Sequence, residues 1–159
     1  MACNIVHPGL SLTNIRSRPA AVGTTPLTGR WFALDSTGRV IVPGTQRRGL
    51  YLAIEGVNLH VGSPTEFGSS PFASTNFVAL PASVASGECA LAYGAFVYTV
   101  GPEGCDPTAA LTPGTEVASD AFGRLVSVGS EDTAIGMVEA RTVDGSSNTL
   151  TLTVRTYAK

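Results

Sequence analysis

The sequence predicts an all-β chain: a small β-barrel or sandwich built from two repeated hairpin units and preceded by an extended N-terminal arm. Three observations carry this. The stretch LTGRWFALDSTGRVIVPGT near the start is answered by LTPGTEVASDAFGRLVSVGS near the end. Short runs of alternating apolar and polar residues recur between turn residues, and no segment keeps a convincing helical spacing. Glycine (18) and proline (10) are abundant, which suits many short strands and turns.

The repeat defines the building block. Asp35, Gly38, Arg39 and Gly44 match Asp120, Gly123, Arg124 and Gly129 at a spacing of 85, whereas Leu27, Thr28 and Glu55 match Leu111, Thr112 and Glu139 at 84. That difference places an insertion at Pro113 and bounds the units at 27–55 and 111–139. Asp-Ser-Thr-Gly and Asp-Ala-Phe-Gly put Asp first and Gly fourth, as a type I turn prefers. The Asp carboxylate accepts hydrogen bonds from the turn amides, and Gly takes the left-handed conformation that follows. Asp35, Gly38, Asp120 and Gly123 are therefore structural turn residues, and the two hairpins are expected to be related by a pseudo-two-fold within one barrel.

In chain order, residues 1–25 form the arm and 26–159 a single domain. Pro8, Pro19 and Pro26 punctuate the arm, which carries Ile5, Val6, Leu10, Leu12, Ile15, Arg16 and Arg18. This is too apolar for a disordered tail and too irregular for a core strand. The arm is expected to lie on a neighbouring surface without entering the barrel as a central strand. Strands are expected around 31–34, 39–42, 50–54, 57–61, 77–80, 90–100 and 149–156, with a loop at 63–74 and one optional helical turn at 82–86. With the strands on either side of the second unit's turn, the count comes to roughly eight to ten short strands. Within ALAYGAFVYTV (90–100), Gly94 suggests a bulge or a close backbone approach. Trp31, the only tryptophan, reads as a core or subunit-contact residue, and Arg47-Arg48 as an exposed turn pair.

Composition narrows function. Charged residues are 14% of the chain and the net charge is −2, which leaves no basic footprint for nucleic acid. No window is long and apolar enough for a membrane-spanning helix, and the N-terminus lacks a secretory pattern. A mean hydropathy of +0.22 with so few charges points to a neutral surface, part of it covered by other subunits. His7 and His60 sit in no metal-ligand or catalytic spacing, and Cys3, Cys89 and Cys105 fit no zinc pattern. Reduced thiols are the simpler reading, with a Cys89–Cys105 pair the alternative. Glu55 and Glu139 read as strand-end residues, and paired catalysis by Asp35 and Asp120 is a poorer reading than turn capping. Neither a catalytic constellation nor a metal or cofactor site is expected, so the chain reads as a non-enzyme.

The pattern apolar-x-Pro-Gly-x-x-Val-x-x-Asp-x-x-Gly-Arg-Leu-Val at 111–126, then AIGMVEA at 134–140 and LTLTV at 150–154, resembles the small capsid decoration (cement) proteins of tailed bacteriophages. The resemblance covers roughly 27–56 and, more fully, 91–156; Arg30-Trp31 and Tyr51-Leu52 depart from it in the first unit. It implies a small β-barrel on the outside of an icosahedral head, partnered by the major capsid protein and by itself, as a homotrimer. Such a protein is made in the host cytoplasm and ends on the virion surface, where its arm reaches across capsomers. The alternative is a carbohydrate- or host-binding β-module of a fibre or secreted protein, which exposed aromatic clusters would favour. A small hydrolase is a third reading, for which no cleft of titratable groups can be assembled from sequence.

Overall fold

A computed structural model describes residues 3–7, 15–55, 88–130 and 132–157. Among these the protein is all-β. Its strands are β1 (Asn4–His7), β2 (Ile15–Pro19), β3 (Trp31–Leu34), β4 (Val40–Ile41), β5 (Tyr51–Glu55) and β6 (Glu88–Ala92), followed by β7 (Val97–Val100), β8 (Glu116–Ser119), β9 (Leu125–Ser127), β10 (Gly136–Val143) and β11 (Leu150–Thr156). They form a six-stranded sheet, β1-β7-β11-β10-β8-β9, and a five-stranded sheet, β2-β6-β5-β3-β4. Every ladder is antiparallel. Both sheets contribute to one core cluster, in which Trp31, Leu52 and Ala92 of one join Tyr98, Val117, Val138 and Val154 of the other. The arrangement is a sandwich and no closed barrel. In each half the segment that follows β2 or β7 reaches β4 or β9 through one isolated parallel bridge, Ala20 with Val40 and Cys105 with Leu125.

Those two bridges are equivalent, and so is almost everything around them. The pairs Trp31–Leu52, Phe32–Tyr51, Ala33–Ile41 and Leu34–Val40 recur as Glu116–Met137, Val117–Gly136, Ala118–Val126 and Ser119–Leu125. The bulge at Ile54 has its counterpart at Glu139. Apart from β1, the strand orders superpose element for element, β2-β6-β5-β3-β4 on β7-β11-β10-β8-β9. The duplicated object is thus a complete five-stranded sheet, larger than the hairpin that the sequence repeat delimits. Local hydrogen bonds also correct the repeat's alignment. Arg30 N donates to Leu27 O and Thr115 N to Thr112 O, so Leu27 corresponds to Thr112. No insertion at Pro113 is needed. The length differences fall instead at the 3-10 turn Pro102–Gly104 and between β5 and β6, where residues 56–87 stand against 144–149.

The turn chemistry is as the sequence requires. Asp35 Oδ1 accepts from Thr37 N (2.8 Å) and Arg39 N (2.9 Å); Asp120 Oδ1 accepts from Phe122 N and Arg124 N, both at 2.8 Å. Gly38 and Gly123 take φ of 79° and 83°, a region where a β-carbon is penalised.

Two expectations need correction. The run 90–100 is not one strand: β6 ends at Ala92, Gly94 turns at φ 96°, and β7 begins in the other sheet at Val97. The arm is not a surface appendage either. β1 pairs with β7 and β2 with β6, each as an edge strand of this chain's own sheets. Cys3 is buried and Ile5 packs against the core cluster. The arm's apolar residues thus find a partner within the chain, because β7 offers an unpaired edge and a buried face beside Tyr98. Leu10, Leu12, His60, the strands expected at 57–61 and 77–80, the loop at 63–74 and the helical turn at 82–86 lie outside the described residues. Val6 and Ile15 are placed by their backbone, in β1 and β2.

Candidate functional site

The two halves of the duplication meet at a cleft of about 150 Å³ whose lining includes Trp31, Arg47, Arg48, Tyr51, Tyr93 and Tyr157. The strands bring these together from distant sequence. Trp31 opens β3, Tyr51 opens β5, Tyr93 follows β6 and Tyr157 follows β11. Tyr51 and Tyr93 make an edge-to-face pair at 6.0 Å, and the Arg16 guanidinium lies 4.9 Å from the centre of the Tyr93 ring, a cation–π distance. The Tyr157 hydroxyl donates to Glu116 at 3.0 Å. Arg47 is held by Asp132 at 3.0 Å and by the carbonyl of Gly44 at 2.7 Å. Trp31 is buried, with Nε1 donating to Tyr98 Oη at 3.1 Å, which leaves it as floor rather than exposed platform.

The two turns stand in different surroundings. Gly123 O accepts from Trp31 N at 2.7 Å and Ala121 O from Gly44 N at 3.1 Å, so the Asp120 turn of the second half docks on the first. A β-carbon added at Gly123 would collide with the Trp31 carbonyl oxygen, whereas one added at Gly38 would meet nothing within 4 Å. Arg124 joins the docked turn to its surroundings through Asp120 (2.8 Å) and Asp106 (3.2 Å). Close to this contact along the chain are three exposed apolar side chains, one of them, Phe122, with its ring centre 5.6 Å from the Arg124 guanidinium. Val42 precedes Gly44 by two residues and is 47% exposed, Phe122 follows Ala121 and is 61% exposed, and Val22, two residues past the Ala20–Val40 bridge, is 96% exposed.

The lowered aspartates have local causes. Hydrogen bonding from Thr37 lowers Asp35, that from Thr108 lowers Asp106, and that from Ser146 brings Asp144 down to about 2. Each is an Asx turn stabilising its carboxylate. Burial pushes the Cys3 and Cys105 thiols up to about 12, which suppresses the nucleophilic thiolate. Cys3, Cys89 and Cys105 are buried and joined in no disulfide, so the Cys89–Cys105 pairing is not formed. Among the described residues no group of three or more His, Cys, Asp or Glu is placed to hold a metal ion, and no helix is long and apolar enough to cross a membrane.

Of the residues picked out from sequence, Asp35, Gly38, Asp120 and Gly123 sit at equivalent turns, one exposed and one docked. Arg16 and Arg18 lie on β2 opposite Leu91 and Cys89, while Ile5 faces Tyr98 across β1 and β7. Sequence reasoning missed the cleft. Its signal was the aromatic and arginine content of short segments separated by long stretches of chain, which only the strand pairing unites. Comparison with family models, curated proteins and solved structures finds no match to this chain.

Proposed function

We propose that this chain is a structural protein of a phage virion, a decoration or cement protein that binds the outer surface of an icosahedral head and stabilises it. Its partners are the major capsid protein and further copies of itself, as a homotrimer. The observation that carries this reading is the set of exposed apolar side chains Val22 and Val42, on loops near the docked turn in the chain, and Phe122, in the turn itself. Isolated apolar residues on a surface are ordinary, but a group on adjoining loops marks an interaction site. The resemblance in the second half of the chain supplies the occupant, and the low charge suits a broad neutral contact. A protein that binds the assembled shell and not its separated subunits shifts the equilibrium towards assembly, and several copies or contacts act together through effective concentration. The test is imaging of purified heads with and without the protein. Removal is expected to delete density from the outer surface and lower the disruption temperature of the head. Replacing Val42 and Phe122 by Ser is expected to weaken head binding at least about tenfold. Heads that keep the same outer density without the protein would refute the reading.

A second reading has its own observation. The cleft, with three tyrosines and Arg48 around it, has the dimensions and chemistry for one sugar ring, which favours a glycan-binding module. Titration of Trp31 fluorescence with acidic and neutral sugars tests it; a saturable change with any of them would support it, and none with the whole set would remove it.

A further inference from the structure

The contact between the halves is not reciprocal. If a two-fold related them, each contact from the first half to the second would be matched by its converse. Trp31 N donates to Gly123 O and Gly44 N to Ala121 O, and the converse bonds, from Glu116 to Gly38 and from Gly129 to Ser36, are not formed. Instead Gly129 N donates to Asp132 Oδ2. Gly29 packs so closely on Val100 that an added β-carbon would lie 2.8 Å from it, while its equivalent, Gly114, faces open space. Equivalent positions also meet at the cleft, where Arg47 pairs with Asp132 and Leu50 and Ile135 are both in the lining. Away from the cleft, then, the contact runs one way, from the Gly29–Trp31 and Gly44 side of the first half to Tyr98, Val100 and the Asp120 turn of the second, which a strict pseudo-two-fold would not give. Such a contact is heterologous: it leaves one complementary face unused on each half, and repetition makes a ring or a filament.

The unused faces complement each other chemically. Inside the chain, Trp31 of the first half meets Tyr98 of the second, ring to ring at 6.1 Å and joined by a hydrogen bond. The equivalent of Trp31 is Glu116, by the shared pairing with Leu52 and Met137. The equivalent of Tyr98 is Arg16, by the shared pairing with Leu91 and Val154. Glu116 and Arg16 are both exposed; among the described residues the side chain of each touches a single aromatic, Tyr157 for Glu116 and Tyr93 for Arg16, and neither has an oppositely charged partner there. Val100, buried against Gly29, is likewise replaced by Arg18, while Gly114 leaves its place open. At the positions where the inner contact pairs two aromatics, the two free faces carry a carboxylate and a guanidinium.

We propose that copies of this protein associate head to tail. The Arg16–Arg18 face and the Asp35–Gly38 turn of one copy dock on the Glu116–Gly114 face of the next, repeating the contact that joins the halves within each chain. Arg16 takes the place of Tyr98 and Glu116 that of Trp31. The contact is charged where the inner one is apolar, so it is reversible and weakened by salt. It needs no capsid, and its failure would leave the head-binding reading untouched.

The experiment uses the full chain alone. Sedimentation velocity at low salt, across a concentration series, is expected to show complexes of more than two copies that dissociate as salt is raised. R16E and E116K are each expected to weaken association about tenfold, and R16E/E116K in one chain to restore it by exchanging the charges. Circular dichroism and thermal unfolding close to those of the parent protein establish that the variants are folded, as expected for exposed positions. A protein that stays monomeric throughout, stops at a dimer, or gains nothing from the double exchange over the single variants would overturn the proposal.

Discussion

Gly123→Ala and Gly38→Ala make a matched pair of perturbations, because the duplication supplies its own control. Both glycines occupy the fourth position of the same turn at nearly the same positive φ, 83° and 79°. Each substitution therefore carries the same conformational cost, about 1 kcal/mol for an alanine held in the left-handed region. At Gly38 nothing more is expected, since the added methyl enters open space. At Gly123 the methyl strikes the Trp31 carbonyl. The turn must then withdraw, straining the Trp31 N–Gly123 O hydrogen bond and the packing behind it. Overpacking costs roughly 1–3 kcal/mol and a weakened buried hydrogen bond about 1 kcal/mol, so the total for G123A is about 3–5 kcal/mol. That is a large share of the stability of about 5–15 kcal/mol expected for a whole domain. In thermal unfolding G38A should lower Tm by about 2–4 °C and G123A by at least about 6 °C. Urea denaturation followed through Trp31 fluorescence gives the same comparison in free energy. Equal losses at the two positions would refute both the docking of the second turn and the non-reciprocal contact inferred from it.

Three further outcomes follow from the geometry. Asp35, Asp106 and Asp144 have folded-state pKa values below those of the unfolded chain. Their contribution to stability is present above the ordinary carboxylate range of about 4 and is lost as pH falls through the folded values, which for Asp144 is about 2. D144N should therefore flatten part of the acid limb of the stability–pH curve; an unchanged limb would remove Asp144 from it. Cys3 and Cys105, buried and with thiols raised to about 12, should resist a thiol reagent in the native state and react on unfolding; fast native labelling of both would contradict their burial. Deleting residues 1–7 removes Cys3 and Ile5 from the core and bares the β7 edge, so Tm should fall by several degrees for a loss of roughly 2–4 kcal/mol. A truncated protein with unchanged Tm would restore the arm to a surface role.

The hairpins were legible in the sequence because their determinants are local. An Asp that accepts from its own turn amides and a Gly at positive φ leave the same letters wherever the motif occurs. The outer strands of each half were not legible. Only alternation and register are shared between β2 and β7 or between β6 and β11, and side chains at equivalent places drift as freely as Arg16 from Tyr98. The unequal β5–β6 and β10–β11 connections also break the constant spacing on which repeat detection depends. The run ALAYGAFVYTV was read as one strand because its β-propensity is high throughout, and propensity does not report that Gly94 carries the chain from one sheet to the other. The cleft escaped for a related reason: no local pattern joins Trp31 to Tyr93 and Tyr157.

What distinguishes equivalent positions is where solvent reaches them. Trp31, Leu52 and Ala92 are buried, while their counterparts Glu116, Met137 and Arg155 are exposed or partly so; Tyr98 and Val100 are buried, while Arg16 and Arg18 are not. A head-to-tail duplication accounts for this division. One copy of the contact is internal, always formed, and able to carry a tryptophan at no risk to solubility. The other faces water, where a second Trp–Tyr pair would form an adhesive apolar patch with little selectivity. Charge at these places keeps the outer contact weak and directional. The β2 edge adds a further constraint: two arginines and Pro19 on it are the features by which natural sheets discourage strand addition at an open edge. With that route disfavoured, the faces that the inner contact leaves free are the ones the proposed association between copies would use.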